Sequence, residues 1–108
     1  MISGVLSAKL AAMDRQTALD RLHSALPELG RTFAVRSLAL FGSVARNEAT
    51  ADSDVDVLVE FDRTPDYFKF FQLRERLEAL LGAKVDLATP RSLHRLIRDR
   101  VVAEAVRA

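Results

Sequence analysis

The chain has 108 residues with a formal net charge of +1, and 49% of its residues are apolar and 29% charged. This balance is typical of one globular domain, excludes a disordered chain and gives no general support for binding to nucleic acid or membranes. The absence of cysteine excludes disulfides, thiolate metal sites and cysteine nucleophiles. Because no apolar run approaches the roughly 20 residues of a membrane-spanning helix and the N-terminus lacks the features of a signal peptide, we expect a cytoplasmic protein.

The first third of the chain predicts a short extension followed by a helix. Residues 1–13 precede the first strong helical pattern and are predicted to be loosely ordered, whereas residues 14–108 are predicted to form the domain. From Asp14, whose carboxylate suits an N-cap, apolar residues recur at helical spacing. Proline lacks the N–H that a helix interior needs, so Pro27 is predicted to end this helix, and a second short helix toward Thr32 is compatible with the pattern.

Three segments have the composition of β-strands. Residues 35–41 are apolar and predict a buried strand, and residues 43–47 predict a short helix directly after it. Residues 54–61 alternate between apolar residues on one face and mainly acidic residues on the other. Residues 84–88 predict a third, shorter strand on which Asp86 faces outward.

Two further helices are predicted, one after each of the last two strands. The first covers residues 64–81, with Thr64 as its cap, Pro65 at its first position and Gly82 at its end. Its inward residues are predicted to be Phe68, Phe71, Leu77, Leu80 and Leu81. The second covers residues 89–106. Its inward residues are predicted to be Leu93, Leu96, Ile97, Val101 and Ala105.

The order of these elements predicts an α/β domain. Helices alternate with strands, which favours a small mixed sheet with the helices packed on one face. The opposite face, which carries the acidic residues of the second and third strands, is then expected to remain open as the active-site face.

Asp54 and Asp56 lie two residues apart on a predicted strand, so their side chains emerge on the same face, roughly 6.5–7 Å apart at Cα. Such a pair is self-repelling unless a cation lies between the carboxylates, and Mg²⁺ is a hard ion that favours carboxylate and phosphate oxygens. If the strand that bears Asp86 lies beside this one, three carboxylates converge. Taken alone, the pair is a weak signal, because a turn residue and a solvated strand residue give the same pattern.

A phosphate-binding turn is predicted directly after the first strand. Gly42 lets the backbone approach a ligand, the helix that begins at Ser43 offers free N–H groups and a hydroxyl, and Arg46 lies within reach of the same anion. A plain strand-to-helix turn with Ser43 as its N-cap explains these residues equally well when they are considered alone. Together with the aspartates, which begin 11 residues after Ser43, they describe a site for a nucleoside triphosphate and its metal ions.

Residues 40–61, LFGSVARNEATADSDVDVLVEF, resemble the signature of the minimal nucleotidyltransferases, which share the palm fold of DNA polymerase β. The family pattern has a Gly-Ser, an Ala-Arg and a Ser-Asp-x-Asp before an apolar strand. The matching residues are Gly42, Ser43, Ala45, Arg46, Ser53, Asp54 and Asp56. The third carboxylate of the family, on a later strand, corresponds to Asp86. Asn47 stands where many relatives have glycine, and asparagine tolerates the left-handed conformation of that turn.

At this length the chain is similar to the MntA-type antitoxins, which are paired with a HEPN-domain ribonuclease toxin. The resemblance implies transfer of AMP from ATP to a tyrosine hydroxyl of the toxin, which neutralises it. It implies that Asp54, Asp56 and Asp86 are the catalytic residues and hold two Mg²⁺ ions. The residues that it implies for nucleotide and phosphate binding are Gly42, Ser43, Arg46 and Ser53.

Three other functions fit parts of the sequence. A toxin-binding module with a vestigial nucleotide site is disfavoured by the intact carboxylates. An antibiotic-modifying enzyme is disfavoured because the chain is too short for a domain that holds the antibiotic. Addition of nucleotides to nucleic-acid ends is disfavoured by the near-neutral charge and by the lack of an aromatic and basic platform, so no direct nucleic-acid or membrane partner is expected.

Overall fold

The computed structural model describes residues 13–108, which form one four-stranded sheet and four helices. In chain order the elements are α1 (Arg15–Phe33), β1 (Val35–Phe41), α2 (Gly42–Ala45), β2 (Val55–Phe61), α3 (Tyr67–Leu81), β3 (Val85–Ala88), α4 (Arg95–Glu104) and β4 (Val106–Arg107). The predicted N-terminal extension lies outside the described residues except for Met13, which packs against the core. Within residues 13–108, no helix has the length and apolar character needed to cross a membrane.

The sheet has the strand order β3-β2-β1-β4 and is mixed, as predicted. β1 is antiparallel to both β2 and β4, whereas β2 and β3 are parallel and are joined through α3. Because of these directions, the end of β1 meets the beginnings of β2 and β3 at one end of the sheet. This is the end that carries the Gly-Ser turn and the aspartates.

The core lies between one face of the sheet and the helices α1 and α3. Val55, Val57 and Val59 alternate along β2 and are fully buried on this face. The helices cover them with buried alanine and leucine side chains, which are Ala18, Leu22, Ala25, Leu29, Leu73, Leu77 and Leu81. On the other face of β2, Asp56 and Glu60 are half-buried. The predicted division into a helix-covered face and an open acidic face is confirmed.

The prediction that Pro27 ends the first helix is wrong, since α1 runs without interruption to Phe33. Proline removes one N–H from the helix, but Ala25 and Leu29 on either side of it are buried against the sheet while Pro27 itself is exposed. The packing of these neighbours outweighs the lost hydrogen bond. The predicted start is correct, because the Asp14 carboxylate accepts a hydrogen bond from the Thr17 N–H at 3.1 Å.

The start and the inward face of α3 also differ from the prediction. The helix begins at Tyr67, with the Asp66 carboxylate accepting from the Lys69 N–H at 2.8 Å, rather than at Pro65. Phe68 and Phe71 are 69% and 40% exposed. Four aromatic residues fall within residues 67–71, so the apolar pattern at this end fits two different helix faces. The leucines farther along the helix are buried, and they determine which face packs against the core. They are Leu73, Leu77 and Leu81, with Phe70 half-buried before them. Gly82 ends the helix at φ 67°, as predicted.

The C-terminal segment contains a shorter helix than predicted, followed by a strand. α4 begins after His94, whose Nδ1 accepts from the Leu96 N–H at 3.1 Å, and residues 89–92 form a turn instead of its first part. Val101 is buried, but Leu96 is 84% exposed and Ile97 44%, so the predicted inward stripe is wrong in its first half. Val106 pairs with Leu40 of β1, and this hydrogen-bonded edge position replaces the last turn of the predicted helix.

Candidate active site

Strand register brings Asp56 and Asp86 side by side. Asp56 of β2 is paired with Asp86 of β3 across the parallel ladder, and with Phe41 of β1 on its other side. Asp54 lies just before β2 and is exposed, as is Asp86. The register therefore accounts for the convergence of two of the three predicted carboxylates, those of Asp56 and Asp86.

Asp56 is half-buried among like charges, and this position disfavours its ionised form. Burial raises the pKa of Asp56 to about 6, the charges of Asp86 and Asp54 and a hydrogen bond with Asp86 act in the same direction, and only Arg46 opposes them. The fold therefore holds these carboxylates close together, which makes ionisation of Asp56 unfavourable. A divalent cation is the ligand that would remove this cost.

The donor set fits Mg²⁺ in the way this ion is usually bound. In residues 13–108, no three His, Cys, Asp or Glu side chains are arranged to hold one ion together. Mg²⁺ is commonly held by one or two carboxylates, with water and substrate phosphates completing its octahedron. The adjacent carboxylates of Asp56 and Asp86 match this mode, and the assignment of metal ions to Asp54, Asp56 and Asp86 stays a prediction.

Gly42 follows β1 and lies against the Asp56 carboxylate. A Cβ at this position would overlap the Oδ2 atom of Asp56 and would lie 3.0 Å from its Cγ atom. The backbone of Gly42 also takes φ 70°, a conformation that side chains disfavour. Both observations require glycine here, and they place the Gly-Ser turn in direct contact with Asp56, one of the three predicted metal ligands.

Arg46 lies directly after α2 and is already engaged by two carboxylates. Its Nε donates to Glu48 at 2.9 Å, and its Nη1 lies 3.3 Å from Oε1 of Glu104. Ser43 is half-buried within α2. Asn47 takes φ 62°, so the expected left-handed turn after the arginine is confirmed.

Ser53 holds the loop that leads into the aspartates. Its Oγ accepts from the Thr50 N–H at 2.9 Å, and its own N–H donates to the Thr50 carbonyl at 3.0 Å. These bonds close a tight turn directly before Asp54. They give Ser53 a structural role beside the phosphate contact that the sequence predicts for it.

Sequence reasoning missed Glu104, which joins the site from the far end of the chain. Its Oε1 accepts from the Gly42 N–H at 3.2 Å in addition to its contact with Arg46. The two residues are 62 positions apart, and no local pattern marks this glutamate among the charged residues of the last helix. Only the packing of α4 beside α2 and β1 reveals the contact.

Sequence reasoning also missed a groove at the opposite end of β2 and β3 from the aspartates. It has a volume of about 700 Å³ and is formed by the end of β2, the start of α3 and the turn after β3. Tyr67, Phe70 and Pro90 give it apolar walls, and Arg91 contributes a charge. Glu60 lies four residues along β2 from Asp56, or about 13 Å at the rise of a strand. The volume is in the range of sites that bind small molecules.

Comparison with known proteins identifies the family of the chain. Residues 19–108 match the nucleotidyltransferase domain family. The protein adenylyltransferase MntA of Thermococcus cleftensis is 49% identical over 79 residues, which cover 73% of this chain and 80% of that protein. A Methanocaldococcus jannaschii protein that is provisionally named a protein adenylyltransferase is 59% identical over 59 residues, or 55% of this chain. The chain spans 60% of the length of that relative.

Solved structures give the same fold. A protein described provisionally as a minimal nucleotidyltransferase superimposes with a TM-score of 0.73 and 40% identity, covering 87% of this chain and 95% of that one. A Shewanella oneidensis MNT antitoxin, solved in complex with a tri-AMPylated HEPN toxin, matches with a TM-score of 0.62 and 22% identity, over 86% of this chain and 70% of that one. The chain therefore belongs to the nucleotidyltransferase domain family, among the minimal nucleotidyltransferases that include the protein adenylyltransferase MntA.

Proposed function

We propose that this protein is a Mg²⁺-dependent adenylyltransferase antitoxin, which transfers AMP from ATP to a tyrosine hydroxyl of a HEPN ribonuclease toxin and thereby neutralises it. The observation that carries the proposal is the pairing of Asp56 with Asp86 at the point where Gly42 packs against Asp56. This arrangement supports a divalent-cation site beside a phosphate-binding turn. Because ATP is the donor, we place the reaction in the cytoplasm.

The chain contributes three donors to the phosphates. The Gly42 N–H, the Ser43 hydroxyl and the Arg46 guanidinium all belong to the turn after β1, and each is a group able to donate a hydrogen bond to an anionic oxygen. Glycine at position 42 leaves the backbone open to close approach by a ligand. These groups would hold the triphosphate while its α-phosphorus lies beside the carboxylates.

The carboxylates supply the metal ligands and the proton acceptor. Two Mg²⁺ ions, held by Asp54, Asp56 and Asp86, would neutralise the triphosphate and polarise the attacking hydroxyl. The tyrosine oxygen forms a bond to the α-phosphorus, the bond from that phosphorus to the bridging oxygen breaks, and pyrophosphate leaves. Asp86, exposed at the start of β3, accepts the proton of the hydroxyl.

The comparisons support the partner and the donor. The relative from Thermococcus cleftensis is named for protein adenylyl transfer. A toxin–antitoxin structure with bound AMP-PNP has the same fold at a TM-score of 0.66 and 24% identity. The complex with the tri-AMPylated toxin shows an antitoxin of this fold beside its modified partner.

The test is to incubate the purified chain with Mg²⁺, ATP and a purified HEPN toxin from the same organism, and then to measure the intact mass of the toxin. We expect a gain of one or more AMP units on tyrosine, which requires Mg²⁺ and is lost in Asp54→Ala. Asp52→Ala is the matched control, since Asp52 is exposed in the same loop and lies outside the site. This variant should transfer AMP at the wild-type rate.

Two results would contradict the proposal. Transfer that persists in Asp54→Ala would contradict the assignment of Asp54 as a metal ligand that the reaction requires. A stable complex that shows no mass gain with any of the four nucleotides would instead make the protein a toxin-binding module without catalysis.

A further inference from the structure

Two of the donors that we assign to the phosphates already have an anionic acceptor. The Glu104 carboxylate, in the last turn of α4, accepts from the Gly42 N–H at 3.2 Å. The same carboxylate lies 3.3 Å and 3.5 Å from Nη1 of Arg46 through its two oxygens. Glu104 thus engages a backbone donor and a side-chain donor of the same turn at once.

A nucleotide phosphate and Glu104 compete for these donors. Each is an anionic oxygen acceptor, and the backbone N–H of Gly42 is a single donor that serves one well-aligned acceptor at a time. A phosphate placed there would also meet the negative charge of Glu104 at close range, which is repulsive. Glu104 therefore has to leave the turn before a triphosphate is held by both Gly42 and Arg46.

The contacts of Glu104 are weak enough to be broken. The side chains of Arg46 and Glu104 are 49% and 29% exposed, and exposed ion pairs contribute little to stability. A carboxylate in the last turn of a helix is also opposed by the partial negative charge of the carbonyl groups there. Arg46 keeps Glu48 as a second partner at 2.9 Å when Glu104 moves away.

We propose that Glu104 is a positioning residue that occupies the phosphate-binding donors of Gly42 and Arg46 in the nucleotide-free protein and so sets its affinity for nucleotide. It is displaced from both donors when the triphosphate binds. This inference rests on the proposed function, because it uses the phosphate-binding role of the turn.

The test is the affinity of the full chain for Mg²⁺ with a non-hydrolysable ATP analogue, measured by titration calorimetry. Glu104→Ala frees both donors, and we expect binding about fivefold tighter than in the wild type, which corresponds to one exposed ion pair. Glu104→Gln can still accept from Gly42 but loses the charge, so its affinity should fall between the two. In the transfer reaction, both variants should lower the KM for ATP and leave kcat unchanged.

Glu75→Gln is the control for net charge, since it removes one negative charge from an exposed position on α3. Its affinity should equal that of the wild type. A structural brace between α4 and the turn would give the opposite ranking, with weaker binding in Glu104→Ala. Equal or weaker binding in the folded Glu104→Gln variant therefore overturns the inference, even if Glu104→Ala fails to fold.

The result is separable from the proposed function. If the affinity ranking holds but the toxin gains no mass, the inference stands and the proposed reaction fails. If the toxin is modified and the ranking is absent, the reaction stands and the role of Glu104 fails. If neither the wild type nor Glu104→Ala binds the analogue in Mg²⁺, both are overturned.

Discussion

At the residue scale, Gly42 is required both by its backbone conformation and by its contact with Asp56, and a comparison with Gly82 separates these two requirements. Its φ of 70° disfavours any side chain, and an added Cβ would overlap the Asp56 carboxylate. Gly82 has nearly the same φ, 67°, but no atom lies within 4 Å of the position where its Cβ would be. The two glycines therefore share the backbone strain and differ in the contact.

Gly42→Ala is expected to lose nucleotide binding and to lower the free energy of unfolding by more than Gly82→Ala does. The strain common to both is on the order of 1–3 kcal/mol, and the overlap with Asp56 adds to it at position 42. Urea denaturation measures the stability of each variant and calorimetry the nucleotide affinity. Tight nucleotide binding in Gly42→Ala would show that the turn does not hold the phosphates at close range.

Asp56→Asn is expected to stabilise the metal-free protein and to abolish transfer. The pKa of Asp56 is about 6 in the folded chain and about 3.9 for an unperturbed aspartate. The folded chain therefore holds the Asp56 proton more tightly than the unfolded chain does. The stability gained from this proton is complete below about pH 4 and is lost as the pH rises through 6. Asparagine carries no charge and avoids that loss. We expect it to raise the free energy of unfolding at pH 7 by roughly 1 kcal/mol, a small value because solvent screens a partly exposed group.

The measurement is thermal unfolding with EDTA and then with Mg²⁺, at pH 4.5 and 7.5. In EDTA, the melting temperature of the wild type should fall relative to Asp56→Asn as the pH rises. Mg²⁺ at pH 7.5 should raise the melting temperature of the wild type and leave that of Asp56→Asn nearly unchanged. Wild-type and variant curves that shift together under all conditions would show that Asp56 neither suffers repulsion nor binds the ion.

Residues in local motifs were the ones that sequence reasoning predicted well. The two-residue spacing of Asp54 and Asp56, the outward position of Asp86 and the left-handed Asn47 all follow from short patterns. Glu104 does not, since its contact with Gly42 exists only through the packing of α4. Phe68 and Phe71 were misplaced because several aromatics in succession give a helix more than one apolar face.

At the element scale, local signals predicted two helix ends correctly but missed the starts of α3 and α4. The Asp14 cap and the Gly82 end were predicted correctly, because each depends on hydrogen bonds within one turn. Pro27 and the strand β4 were not, because both are decided by contacts with the sheet. The pairing of Val106 with Leu40 gives the final residues hydrogen bonds that a longer helix would have replaced.

Pro27→Ala is expected to stabilise the protein by about 1–2 kcal/mol. The change restores one helix N–H and removes the penalty of about 3 kcal/mol for a proline in a helix interior. Part of this gain is offset because alanine gives the unfolded chain more conformational entropy than proline does. Urea denaturation measures the difference. Pro65→Ala, outside any helix, is the control and should not stabilise, whereas a destabilised Pro27→Ala would show that the proline sets a bend that α1 needs.

At the scale of the whole molecule, β4 protects the edge of an apolar sheet. It covers β1, whose sequence VRSLALF includes the fully buried Leu38 and Leu40. The Ala108 N–H extends this cover by donating to the Leu38 carbonyl at 2.9 Å. Unpaired edge strands of this kind promote association between chains.

Deletion of residues 106–108 is therefore expected to cause self-association that increases with protein concentration. Light scattering coupled to size-exclusion chromatography measures it over a range of concentrations. Arg107→Ala is the control, because it removes an exposed side chain and leaves the backbone pairing with Ala39 in place. A deletion variant with an unchanged mass at all concentrations would show that the edge is protected in another way.

The parallel pairing of β2 with β3 also determines when, during synthesis of the chain, Asp56 and Asp86 come together. During synthesis the Gly-Ser turn, Asp54 and Asp56 emerge from the ribosome first, and Asp86 follows only after the whole of α3. Glu104 emerges later still. Asp56 therefore lacks its β3 neighbour until α3 and β3 have been synthesised and β3 has paired with β2.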